Sequence, residues 1–132
     1  MKNPEIQKVI KSATDIYNNY EYEISVTKKS SHTSNKDCTG SKIELNFSDV
    51  DNGEESSDFK DAGITDVDLV GHEIKHAFDN EHNANNRGKE PTTKVSYNEI
   101  EAVKFENLIR EEEKRPLRTN YGVSIWELII SK

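Results

Sequence analysis

Apolar positions recur along the chain in two periods, and the switches between them mark its elements. Ile6, Val9, Ile10, Ala13, Ile16, Tyr17 and Tyr20 repeat at helical spacing. Asn3, Pro4 and Glu5 precede them as a cap residue, a proline in the first turn and an acid at the positive end of the helix dipole. The pattern predicts an N-terminal helix lying over the core. Tyr22, Ile24 and Val26 then alternate with polar residues, the period of a strand. Ser30 to Ser41 reads as a polar loop with a solvated His32, and Lys42 to Phe47 alternates again as a second strand. Thr65-x-x-Asp68 makes a capping-box-like start to a second helix, in which Leu69, Val70, Ile74, Ala77 and Phe78 form an apolar face. A loop rich in Asn, Gly and Pro spans Asn80 to Thr93, and a third helix runs from about Ser96 to Lys114 until Pro116 stops it. Residues 118–122 make a turn. The most apolar run, Val123 to Ile130, reads as a last strand, with a short buried helix packing Trp126 as the alternative. The expectation is one α+β domain over 1–132, with a short antiparallel or mixed sheet.

Composition narrows the function classes. Hydrophobic residues make up 32% of the 132 and charged residues 33%, so the core is modest. A net charge of −7 disfavours nucleic acid or an anionic membrane surface as partner, and suits basic substrate segments. No apolar run is long enough to span a bilayer, and the N-terminus lacks the apolar core of a cleavable signal. The single cysteine, Cys38, allows no internal disulfide, which fits a reducing working environment. There is no internal repeat, and a monomer is favoured. The acidic stretch Ser48 to Asp61 fails as a calcium loop. Counted from Asp49, Gly53 falls one place early and Lys60 stands where a bidentate acid is needed.

The candidate chemistry lies in the second helix. His72-Glu73-x-x-His76 puts two imidazoles four residues apart on one face, where both reach one metal ion. Zinc, one per chain, suits these ligands, and Glu73 stands one step round to hold a water. Two residues compete for the third ligand position. His82 follows His76 at the metzincin spacing, but Asp79 stands where that motif needs glycine, and the only methionine is Met1. Glu99, at the start of the third helix, would complete a gluzincin-type set and is preferred. It shares a stripe with Ala102, Val103 and Glu106, so Glu106 is a candidate hydrogen-bond partner for a ligand histidine.

These residues carry a resemblance. His72-Glu73-x-x-His76-Ala77, then Glu99-x-x-Ala102-Val103-x-x-Glu106-Asn107-x-x-Arg110, then Pro116-Leu117-Arg118-x-x-Tyr121, resembles the effector-type zinc metallopeptidases of pathogenic bacteria. That family includes type III secretion effectors that cleave host stress-activated MAP kinases, and protease domains at the ends of polymorphic toxins. The resemblance covers about the second half of the chain and implies a zincin-like domain. The Arg118-x-x-Tyr121 pair is similar to one in clostridial neurotoxin light chains, and Val103 departs from thermolysin, which has an aspartate there. By this resemblance His72, His76 and Glu99 would hold zinc, Glu73 would be the general base, and Arg118 and Tyr121 would stabilise the oxyanion. Ile43 to Phe47 would be the sheet edge that binds substrate. The implied activity is cleavage of a host or target-cell protein, after secretion or injection into that cell's cytosol. The competing expectation is a non-catalytic protein-binding module on the same scaffold.

Overall fold

The computed structural model describes residues 2–36, 39–48 and 64–130. Among these residues it is a small mixed α+β domain of four helices and one three-stranded sheet. The elements, in chain order, are α1 (Pro4–Thr14), β1 (Glu21–Val26), β2 (His32–Lys36), β3 (Gly40–Leu45), α2 (Asp66–Glu81), α3 (Tyr97–Glu112) and α4 (Trp126–Ile130).

The sheet is mixed, in the order β1-β3-β2, with β1 parallel and β2 antiparallel to β3. Two expectations change here. The segment read as a polar loop contains β2, whose Thr33, Ser34 and Asn35 pair with Ile43, Lys42 and Ser41. Its residues are all polar, so periodicity gave no signal; pairing to the buried β3 orders it. Because β3 is the central strand, Ile43 to Leu45 is not an edge. The edge beside α2 is β2.

Helix α2 is the centre of the packing. Leu69 and Ala77 face the sheet through Ile43 and Leu45, while Phe78 meets α1 and α3 through Ile6, Val9, Phe105 and Ile109. Helices α2 and α3 approach closely at Gly71, where a Cβ would come within 2.6 Å of Ile109 Cδ1. Thr65 and Asp68 complete a capping box at the start of α2, with Thr65 Oγ1 accepting from the Asp68 N–H and Asp68 Oδ2 accepting from the Thr65 N–H. Asp68 is fully buried and also takes a bidentate pair from Arg115 at 2.7 and 3.0 Å. Arg110 Nη2 stands 3.2 Å from it. The end of α3 is thereby tied to the start of α2, one turn before His72.

Both ends of the chain depart from expectation. Asn3 caps α1 as read, accepting from the N–H groups of Glu5 and Ile6. The helix stops at Thr14, though, because Asp15 is extended, and Ile16 and Tyr17 are left 86% and 87% exposed. At the other end the apolar run forms α4, not a strand. Ile125 alone is deeply buried, against Val95, Ile100 and Val103, and Trp126 stays largely exposed. The acidic stretch from Asp49 onward and Cys38 lie outside the described residues.

Candidate metal centre

His72 and His76 project from one face of α2 towards the first turn of α3. There Ser96 caps the helix through the Glu99 N–H, which fixes Glu99 opposite them. His72 Nε2 lies 2.8 Å from one Glu99 carboxylate oxygen and His76 Nε2 lies 2.9 Å from the other. Tetrahedral zinc bonds of about 2.0–2.1 Å place ligand atoms roughly 3.3 Å apart. The three side chains therefore converge at nearly the separation a shared ion requires. His72, Glu73 and His76 also offer ligand atoms within 4.8 Å of one another, a group that could hold a metal ion. Glu99 stands closer to both imidazoles than that.

The electrostatics favour positive charge at this point. Burial disfavours a charged His72, yet Glu106 and Glu99 outweigh it and push the His72 pKa up to about 10. Burial likewise raises Glu99, and the two imidazoles more than reverse it, holding the carboxyl well below its usual range. A divalent cation binding two neutral imidazoles and a carboxylate meets the same demand, so the donor chemistry fits a metal.

Behind the imidazoles runs a buried chain of contacts. His72 Nδ1 is 2.5 Å from Glu106 Oε2, which sets the ring's tautomer so that Nε2 faces Glu99. Arg118 Nη1 in turn donates to Glu106 at 2.9 and 3.2 Å. Asn107 fixes the Arg118 backbone from both sides, accepting from its N–H at 2.7 Å and donating to its carbonyl at 3.0 Å. Arg118 is 4% exposed and does not line the cleft. The expectation aimed it at a substrate oxyanion; in this structure its Nη1 bonds Glu106. A buried guanidinium needs an anionic partner, and the Glu106 carboxylate supplies one.

Tyr121 does border the cleft. Its ring lies parallel to that of His72, 6.0 Å away, with the Arg118 guanidinium 5.0 Å from its centre. Burial, with the Glu99 carboxylate beside it, pushes the phenol pKa well above its ordinary value, so the group stays a neutral donor. Glu73 faces the same cleft, held by a residue the sequence reading passed over. Thr33 Oγ1 on β2 lies 2.8 Å from Glu73 Oε1 and 2.9 Å from its carbonyl oxygen. Only the pairing of β2 brings Thr33 there. His82 is turned away, its ring against Phe78 and its Nδ1 2.9 Å from the Phe78 carbonyl. His32 sits on Glu44 at 3.2 Å, at the cleft's rim.

Compared with known proteins, the chain matches no family model, no curated protein and no solved structure. Among the described residues, no helix is long and apolar enough to cross a membrane.

Proposed function

We propose that this chain is a zinc-dependent endopeptidase of zincin-like architecture, a bacterial effector or toxin acting on a protein of a target cell. The observation that carries the reading is the convergence of His72 Nε2 and His76 Nε2 on the two oxygens of Glu99, with Glu73 beside them. His72, His76 and Glu99 would be the ligands. Bound there, zinc supplies a Lewis acid that brings the pKa of water towards neutrality and polarises a carbonyl.

The remaining roles belong to the protein. Glu73, oriented by the Thr33 hydroxyl, takes a proton from the attacking water and passes it to the leaving nitrogen. Tyr121 donates to the carbonyl oxygen as negative charge develops on it, a contribution of about 3 kcal/mol for one such donor. Arg118 acts from below, holding Glu106 on His72. A peptide added along the free edge of β2 would run past Glu73, with main-chain hydrogen bonds giving affinity.

One observation favours a second reading, a protein-binding module: Arg118 is engaged by Glu106, leaving Tyr121 as the one oxyanion donor of the expected pair that lines the cleft. Metal analysis and a proteome-wide cleavage screen separate the two. The protease reading expects about one zinc per chain, and cleavage that disappears with chelator and in Glu73→Gln. Zinc bound without cleavage of any substrate, together with partner binding that ignores Glu73→Gln, would leave the module.

A further inference from the structure

The cleft of about 260 Å³ in front of the candidate metal centre has polar walls: Ser31 and Thr33 on one side, Asn80 and Asn85 on another, Ser96 and Asn98 on the third. Its described lining offers no apolar pocket for a hydrophobic side chain. Arg87 is the only lysine or arginine among the described residues that line it. We propose that this cleft selects peptides with an acidic side chain beside the bond to be cut, and that Arg87 is the residue that reads it. The inference rests on the protease reading and names the substrate class for that site.

Three observations lead there. The nearby cations are otherwise engaged: Lys75 with Asp79 at 2.5 Å, Lys42 with Glu44 at 3.7 Å and Arg118 with Glu106 at 2.9 Å. Among the described residues Arg87 has no carboxylate partner, so its guanidinium remains available for a bidentate contact from a ligand. Second, the backbone on both sides of Arg87 is tied to the first turn of α3. The Asn86 N–H donates to Asn98 Oδ1, the Asn98 N–H donates to the Asn86 carbonyl at 3.0 Å, and the Tyr97 N–H donates to the Gly88 carbonyl at 2.9 Å. These bonds hold the segment around Arg87 at the cleft wall. They also occupy the α3 N–H groups that would otherwise meet an anion, so the guanidinium has to supply the donors.

The third observation concerns charge. A divalent cation on the imidazole pair would balance Glu73 and Glu99, and Arg87 then sets the sign of the wall. The chain's net charge of −7 is no guide to it. The preference for basic segments expected from overall charge is reversed locally.

The test uses zinc-loaded Glu73→Gln protein and fluorescence polarisation with three pools of peptides, identical but for Glu, Gln or Lys at the randomised central positions. The acidic pool should bind roughly three- to tenfold tighter than the lysine pool, the range of a partly desolvated ion pair. Arg87→Glu on that background should invert the order while leaving zinc content unchanged, and Arg87→Lys should keep it in weaker form. Equal binding of the three pools, no binding of any, or an acidic preference that survives Arg87→Glu would overturn the proposal. Parallel metal analysis and cleavage assays of the unmodified protein keep the two failures apart. Zinc and cleavage without acidic preference remove this inference alone. Absence of zinc or of all cleavage removes the protease reading, and the polarisation result still decides what Arg87 selects.

Discussion

Two networks of buried carboxylates sit within two turns of each other on α2 and α3, and their cations differ in kind. Around Asp68 the positive partners are Arg110 and Arg115, with the Thr65 N–H as a third donor. Arginine keeps its charge at any physiological pH, so this network is closed and can only hold the fold. Around Glu99 and Glu106 the imidazole partners are His72 and His76, and His76 lines the cleft. An imidazole can give up its proton and offer the same nitrogen to a metal. Burial and acidity are common to both networks. What separates a candidate site from a structural clamp is an exchangeable cation at an accessible point.

Breaking the closed network should have the largest effect. Asp68→Ala removes its half of the capping box of α2 and leaves Arg110, 1% exposed, without its Asp68 partner. A loss of about 3–5 kcal/mol in urea unfolding is expected, as for other buried pairs reduced to one partner. Breaking the exchangeable one should behave differently. Glu99→Ala should lower zinc affinity by at least about a hundredfold, beyond the range for damage to outer groups, with a smaller change in the unfolding midpoint of the metal-free protein. His82→Ala should alter zinc affinity little, since its ring lies on Phe78. Competition with a fluorescent chelator measures both. Equal zinc loss from His82→Ala would mean that the third ligand is misassigned.

How much of this was legible in the sequence follows from the range of each signal. The caps Asn3, Thr65 and Ser96 act within three residues, and all three helices start where those residues predict. His72 and His76 share a helix, so their spacing alone puts them on one face. The stripe carrying Glu99 and Glu106 was equally readable, because it too is a single helix. Thr33 left no trace, since its place beside Glu73 depends on β2 pairing with β3 across a polar segment. Arg118 was read by its neighbour Tyr121, whereas its position is set by Glu106, twelve residues away on another element. The Val123 to Ile130 run carried hydrophobicity without a decisive period, and it packs as a short helix through Ile125.

Arg118 itself sharpens the contrast between the networks. If it acts through Glu106, Arg118→Ala and Glu106→Gln should both weaken zinc binding, by roughly ten- to a hundredfold for Glu106→Gln and less for Arg118→Ala. A group acting only on the oxyanion would leave zinc affinity untouched and lower turnover alone. Tyr121→Phe supplies that reference, with zinc content and unfolding unchanged and cleavage reduced. Should Arg118→Ala reproduce the Tyr121→Phe pattern in both measurements, the guanidinium works on substrate and its contact with Glu106 is incidental.

Glu90 offers the mildest test, because it is a carboxylate held by neutral donors alone. The N–H groups of Thr93 and Thr92 reach it at 2.7 and 3.0 Å, and the Thr93 hydroxyl at 2.8 Å. These bonds, led by the Thr93 N–H, lower its pKa to about 2 from an ordinary 4.5. The folded state thus binds this proton less readily than the unfolded chain. The contribution to stability is therefore present above about pH 4.5 and fades as pH falls towards 2. Asp68 shifts in the same direction: burial raises its carboxyl, but Arg115, the Thr65 N–H and Arg110 outweigh it. Urea midpoints across this acid range should fall for the unmodified protein, and Glu90→Gln should flatten part of that fall. Added salt should leave the Glu90 share unchanged, since its donors carry no net charge, whereas the arginine-held share of Asp68 should shrink where salt can reach it. A Glu90→Gln protein with an unaltered acid limb would mean that Glu90 binds its proton equally well in the folded and unfolded chain.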